Sequence, residues 1–173
     1  MKGIRAALLG VRHPHGIAHL RTLQTMPEIE GIYVWDTEPE ALSEVQQNHG
    51  QKVLEVFTDL DALLSKEDLL FVITCLRTDL SPEICLRAIN AGKHILAEKP
   101  LGRTATEAAP IVKAAEEARV ALGVCYVNRY HPALLEAQRI VAGGLLGQLI
   151  SMELRLLTTQ VKFRDPDHWL FRR

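Results

Sequence analysis

The sequence predicts an α/β fold built on a doubly wound parallel sheet, and three observations carry that expectation. Short apolar runs recur along the chain at Ile4–Leu9, Ile32–Trp35, Val53–Phe57, Leu69–Leu76, His94–Ala97 and Val120–Val127. Most of them are separated by segments whose apolar residues return at helical spacing. The runs are apolar throughout instead of alternating with polar residues, as parallel strands buried under helices on both faces should be.

The elements follow in order. The first run ends at Gly10, and a loop to Gly16 leads into a helix beginning Ile17-Ala18-His19. The second run ends at Asp36, after which Glu38-Pro39 opens a helix to about Asn48, since proline pre-sets the dihedral of a first helical turn. Leu69–Leu76 (LLFVITCL) reads as the central strand. Asp79 is placed to cap a helix over Leu80–Ala91, with Gly92 as its stop. Thr104 and Glu107 resemble a capping box, although Pro110 then requires a kink or a later start to the regular helix.

Beyond Val127 the pattern changes. Leu134, Leu135, Ile140 and Val141 describe an amphipathic helix from about Pro132, closed by Gly143-Gly144. A strand of another kind follows, with Ile150, Met152, Leu154 and Leu156 on one face and Ser151, Glu153 and Arg155 on the other, as in a sheet with one wet side. The expected organisation is therefore a first domain over 1–124 and the start of a second over 125–173, with no internal repeat.

Composition narrows the function classes. The 173 residues are 47% hydrophobic and 24% charged with a formal net charge of −1, which lacks the basic excess of a nucleic-acid binder and points to small-molecule partners. Cys75, Cys85 and Cys125 are odd in number and sit in apolar runs, so they read as free thiols in a reducing, cytoplasmic setting. No stretch reaches ~18 uninterrupted apolar residues, and the start MKGIRAALLG lacks the long apolar core and cleavage site of a secretory leader. Neither a signal peptide nor a membrane partner is expected.

Three stretches carry candidate chemistry. Gly10-Val-Arg-His-Pro-His-Gly16 occupies the place where a doubly wound fold offers backbone N–H groups to the phosphates of a nucleotide. Against the spacing G-x-G-x-x-G it keeps Gly10, has Arg12 at the second glycine and sets Gly16 one residue late, so an ordinary β-α turn is the alternative. Asp36, 20 residues beyond Gly16, can accept both hydroxyls of an adenosine ribose, or else serve a turn or helix cap. No Arg or Lys follows it directly, which favours NAD, although Arg12 keeps NADP as the alternative. His13, His15 and His19 have no acid or cysteine nearby in sequence, so no metal site is expected. The third stretch, Glu98-Lys99-Pro100 after His94–Ala97, faces the cleft because ligands bind beyond the carboxyl ends of such strands. Lys99 there can stabilise a developing alkoxide or exchange a proton with a substrate hydroxyl, and Glu98 can orient its ammonium. A solvated pair in a turn is the plainer reading of those residues alone.

The string Ala88-Ile-Asn-Ala-Gly-Lys-His-Ile-Leu-Ala-Glu-Lys-Pro-Leu-Gly102, with Thr104-x-x-Glu107-Ala108 after it, resembles the Gfo/Idh/MocA family of NAD(P)-dependent oxidoreductases. Thr78-Asp79-Leu80, Pro82-Glu83, Asn128-Arg129-Tyr130 with Pro132, and Gly144–Gly147 extend the likeness over essentially the whole chain. The resemblance implies a Rossmann-type domain followed by a truncated α/β substrate domain, and hydride transfer at a hydroxyl or carbonyl carbon of a sugar, inositol or related polyol. It implies Lys99 as the catalytic and substrate-binding lysine, with Glu98 and Pro100 beside the cofactor. Gly10, Arg12, Gly16 and Asp36 would line the nucleotide, and Asn128 and Arg129 the substrate. Departures are Arg12 in the loop, Ser81 where many members have histidine, and Arg77 where proline is frequent. The family also continues into an open sheet, often a homo-oligomer contact, and an Asp-x-Gly-x-His-like motif supplying a histidine. The chain stops before any such segment, and His168, beside Asp165 and Asp167, reads as a loop histidine. The 173 residues are thus expected to be a nucleotide-binding fragment inactive alone. A non-catalytic NAD(P)-binding sensor and a methyltransferase using S-adenosylmethionine are the rival readings.

Overall fold

Strands β1 (Ile4–Leu9), β2 (Ile29–Trp35), β3 (Val53–Phe57), β4 (Leu69–Thr74), β5 (His94–Ala97) and β6 (Leu122–Val124) form one parallel sheet in the order β3-β2-β1-β4-β5-β6. The computed structural model describes residues 3–155 and 157. Helices α1 (Gly16–Thr25), α2 (Pro39–Asn48), α3 (Leu60–Leu64), α4 (Ser81–Asn90) and α5 (Ala105–Ala118) connect the strands. The expected doubly wound α/β class is the observed one.

The continuous apolar runs are explained by burial on both sides of the sheet. Ala6 and Leu8 of β1 share one face with Ile32 and Val34, and that face packs on Leu20 and Leu23 of α1 and Leu42 and Val45 of α2. Ala7 and Leu9 share the other with Tyr33 and Trp35, packed on Leu63 of α3, Ile84 and Ile89 of α4 and Ile111 of α5. Successive residues point to opposite faces, so only a strand covered twice needs every position apolar. From β1 the chain winds outward to β2 and β3, then crosses over to β4 on the other side of β1. That reversal opens a crevice at the carboxyl ends of β1 and β4, the ligand position of open α/β sheets.

Several local expectations are corrected. β2 begins at Ile29, ahead of the run from Ile32, and α3 lies in a stretch for which no helix was expected. Asp59 caps α3 by accepting from the N–H groups of Asp61 at 2.9 Å and Ala62 at 3.3 Å. Asp79 is not the cap of α4, which starts at Ser81 after Leu80; its carboxylate is held instead by the guanidinium of Arg77, at 3.1 and 2.6 Å. The Thr104–Glu107 box is half made: Thr104 Oγ1 accepts from Glu107 N at 3.2 Å, but the Glu107 carboxylate accepts from Arg103 N at 2.8 Å. Pro110 neither delays nor ends α5, which runs through it with Ile111 and Ala115 buried. One ladder bond is forgone, and the apolar contacts of that face offset the loss.

The chain divides into two compact units, Met1–Val127 and Asn128–Arg173. The second contains helix α6 (Pro132–Ala142), preceded by a 3-10 turn over Val127–Tyr130 and followed by Gly143 and Gly144, as the sequence pattern predicts. The alternating strand does not form among the described residues: 149–155 are irregular, with Ile150 95% and Met152 85% exposed. A strand exists only through its ladder, and no described segment pairs with this one. Leu156 and His168 lie outside the described residues. No described helix is long and apolar enough to cross a membrane.

Candidate functional site

The strands end in register, and this places the candidate residues in a row. Leu9 pairs with Trp35 and Thr74, Thr74 with Ala97, and Ala97 with Val124. The ladder continues for one more residue: Gly10 N donates to Trp35 O at 2.8 Å, Cys75 N to Leu9 O at 2.7 Å, Glu98 N to Thr74 O at 2.8 Å and Cys125 N to Ala97 O at 2.8 Å. Asp36 N likewise donates to Phe57 O at 3.2 Å. Asp36, Gly10, Cys75, Glu98 and Cys125 therefore line the carboxyl edge of the sheet in that order.

The loop from Gly10 to Gly16 retains two of the three glycine functions. Gly10 has φ +95°, and a Cβ there would lie 2.1 Å from the Cys75 carbonyl oxygen. Only glycine allows both that dihedral and that approach to β4. A Cβ on Gly16 would lie 2.3 Å from Val11 O, so its absence lets α1 start tight against the loop. Residue His15 precedes α1 without a side-chain capping bond, which leaves first-turn N–H groups for an anion. The exposed Arg12 guanidinium pairs with Glu38 at 3.0 Å.

Asp36 is buried, and its carboxylate holds the surrounding backbone. Its Oδ2 accepts from Val11 N at 2.7 Å and Arg12 N at 3.2 Å, and its Oδ1 accepts from Glu38 N at 3.1 Å. A carboxylate offers about four acceptor positions, so Oδ1 keeps capacity towards a ligand while Oδ2 fixes the loop. This cradle fits a dinucleotide: a glycine-built approach, free donors at a helix start and an acid one strand away.

Glu98 is the centre of the second half of the edge. It is 6% exposed, and its Oε1 lies 2.9 Å from His15 Nδ1 and 2.9 Å from His19 Nε2. Because a carboxylate only accepts, His15 Nδ1 and His19 Nε2 each donate to this same oxygen. Burial pushes the Glu98 carboxyl up, but hydrogen bonds from His19 and His15, the charge of His15 and the Lys99 N–H together hold it below the usual carboxylate value of 4.5. Burial, and then His15, push the imidazole of His13 down; burial, and then Glu98, push the Cys125 thiol up.

Two expectations fail here. Glu98 does not orient the Lys99 ammonium; its Oε2 accepts from Lys99 N at 3.1 Å, while the Lys99 side chain is exposed. Consecutive side chains of extended backbone point to opposite sides, so a buried Glu98 directs Lys99 outward. The histidine loop also does have an acid and a cysteine near it in space. His19, Glu98 and Cys125 bring ligand atoms within 4.8 Å of one another, and His19 and Glu98 are 79 residues apart in sequence. The only signal for this meeting is the sheet order, which the sequence does not print.

Pro100 follows Lys99 through a cis peptide bond. Asn128 and Arg129 are exposed in the 3-10 turn Val127–Tyr130 and belong to the second unit. Ser81, which departs from the resembled pattern, is buried with its Oγ 3.8 Å from Cys85 Sγ, and Thr74 Oγ1 lies 3.7 Å from the same sulfur.

The folded-state depression of Glu98 has a pH signature. On acidification the unfolded chain takes up the proton first, so the stability contributed by Glu98 is whole above about pH 5 and is lost as pH falls through the folded value. Thermal unfolding of the wild type should therefore weaken more steeply as pH falls below about 5 than that of Glu98→Gln. Parallel curves would contradict the assigned direction.

Comparison with known proteins agrees with this geometry. A family model described as an oxidoreductase family with an NAD-binding Rossmann fold matches residues 4–126. An uncharacterized oxidoreductase of Schizosaccharomyces pombe is 29% identical over 153 residues, covering 88% of this chain and 42% of that protein. D-xylose dehydrogenase of Paenarthrobacter nicotinovorans is 32% identical over 128 residues, covering 74% of this chain and 32% of its own length. The crystal structure of the WlbA dehydrogenase of Chromobacterium violaceum, in complex with NADH and UDP-GlcNAcA, superposes with a TM-score of 0.77 at 27% identity, over 85% of this chain and 42% of that one. The chain thus spans less than half the length of these relatives. It belongs to the Gfo/Idh/MocA oxidoreductase family, whose NAD-binding Rossmann domain it carries.

Proposed function

We propose that this chain is the nucleotide-binding part of an NAD-dependent dehydrogenase acting at a hydroxyl or carbonyl carbon of a sugar, inositol or related polyol. The supporting observation is the row along the carboxyl edge: Glu98 is tied to the Gly10–Gly16 loop through His15 and to the first turn of α1 through His19, and Lys99, exposed, follows Glu98 directly. The relatives compared above are named as oxidoreductases or dehydrogenases, which favours the enzyme over a non-catalytic sensor.

In this reading Gly10 and Gly16 let backbone N–H groups approach the pyrophosphate, and Asp36 Oδ1 accepts from the adenosine ribose. Asp36 and Glu38 place negative charge where a 2′-phosphate would sit, and Glu38 engages Arg12 at 3.0 Å; both favour NAD over NADP. When bound, the nicotinamide supplies hydride acceptance and donation. Lys99 holds the substrate oxygen by its ammonium, stabilises the charge that develops there and relays its proton, while Glu98 and Pro100 set the shape of the strand end. Residues 125–173 begin the substrate half, where Asn128 and Arg129 contact the substrate. We place the protein in the cytoplasm, as its three cysteines are free thiols.

The test is an assay of the whole protein with NAD⁺ against a panel of aldoses, inositols and nucleotide sugars, followed by the absorbance of reduced nicotinamide. Saturable reduction with at least one panel member is expected. No turnover of any panel member by a folded protein that binds NAD⁺ would contradict the substrate class.

A further inference from the structure

The geometry points to a binding site for one Zn²⁺-type cation formed by His19 Nε2, the Glu98 carboxylate and Cys125 Sγ. Their ligand atoms lie within 4.8 Å of one another. Tetrahedral zinc with N, O and S donors needs ligand atoms about 3.3–3.7 Å apart, so side-chain adjustments of up to about 1.5 Å, with the 2.9 Å contact between His19 and Glu98 opening slightly, close the set. The donors come from three elements: α1, the end of β5 and the end of β6. They are held to common framework by the bonds from Glu98 N to Thr74 O and from Cys125 N to Ala97 O, both 2.8 Å.

The donor chemistry selects the ion. One imidazole, one carboxylate and one thiolate form a borderline-soft set that suits zinc and is poorly matched to magnesium or calcium, which take oxygen ligands. Glu98 is buried and already accepts from two imidazoles through one oxygen, so a cation there would replace hydrogen-bond donors with a full charge. His19 would ligate in the tautomer protonated on Nδ1. Three protein donors leave a fourth position for water, and His15, whose Nδ1 is 2.9 Å from the same Glu98 oxygen, borders that position.

The experiment is titration of the chelator-treated chain with Co²⁺ and then Zn²⁺, with absorbance as the readout. One equivalent of Co²⁺ should bind with a thiolate-to-cobalt charge-transfer band, and one equivalent of Zn²⁺ should displace it. Cys125→Ser should abolish the band, and His19→Gln should weaken Co²⁺ binding at least tenfold. Absence of saturable binding by the folded wild type, with folding checked by circular dichroism, would overturn the site, as would unchanged binding in both variants. The wild-type titration decides the matter even where a variant fails to fold. No nucleotide is present, so its failure is distinguishable from failure of the NAD reading.

Discussion

In the whole protein, Lys99→Ala should lower turnover at least ~10²-fold while NAD binding stays within a few-fold, because a proton-transfer or charge-stabilising group is typically worth ~10²–10⁴ in rate. The position of Lys99 makes the two effects separable. Its backbone N–H is engaged by Glu98 at 3.1 Å, but its side chain is exposed beyond β5 and is not part of the buried framework. Removing the ammonium should therefore leave the strand end in place. Lys99→Arg should keep the charge while losing the titratable proton, and a loss of rate there would assign Lys99 to proton transfer as well as charge. An unchanged rate in Lys99→Ala would rule out the catalytic role.

Asp36→Ala should weaken NAD binding about tenfold to a hundredfold, since a hydrogen bond to a charged acceptor is worth ≈ 1.5–3 kcal/mol. The same change leaves the N–H groups of Val11, Arg12 and Glu38 without the acceptor they have now. Part of the effect will therefore come through the loop, and stability should fall as well. Asp36→Asn separates these contributions in part: its one side-chain oxygen still accepts from Val11 and Arg12, while its NH2 group cannot accept from Glu38 N and the charge is gone. The variant should bind NAD weakly and lose less stability than Asp36→Ala. Loss of the carboxylate should also narrow the preference for NAD over NADP, because the charge that repels a 2′-phosphate is removed. A widened preference would contradict the placing of Asp36 at the ribose.

The sheet was legible because burial on two faces leaves its mark in every strand residue, as in Ala6-Ala7-Leu8-Leu9, where neighbours serve opposite cores. Caps were less legible. Asp79 has the right type and place for α4, but the nearby Arg77 offers its carboxylate a charged partner, and a local competitor of that kind wins without any change in pattern. The alternation from Ile150 to Leu156 has the pattern of a strand, yet alternation describes a face and not a partner, and no ladder forms there among the described residues. At the site, the spacing from Gly16 to Asp36 and the Glu98-Lys99-Pro100 sequence were readable along the chain. The use of Asp36 to hold the Val11 and Arg12 N–H groups was not, nor was the convergence of His15, His19 and Cys125 on Glu98. Those contacts depend on parallel register between strands far apart in sequence.

The measurement that bears most directly on the nucleotide site is calorimetric titration of this chain with NAD⁺, NADH, NADP⁺ and NADPH, beside the Asp36→Ala variant. Saturable binding that favours the NAD forms and weakens at least tenfold in the variant is the predicted result. A folded chain that binds none of the four, or binds NAD equally well without the Asp36 carboxylate, would contradict the assignment of the cradle between Gly10 and Asp36.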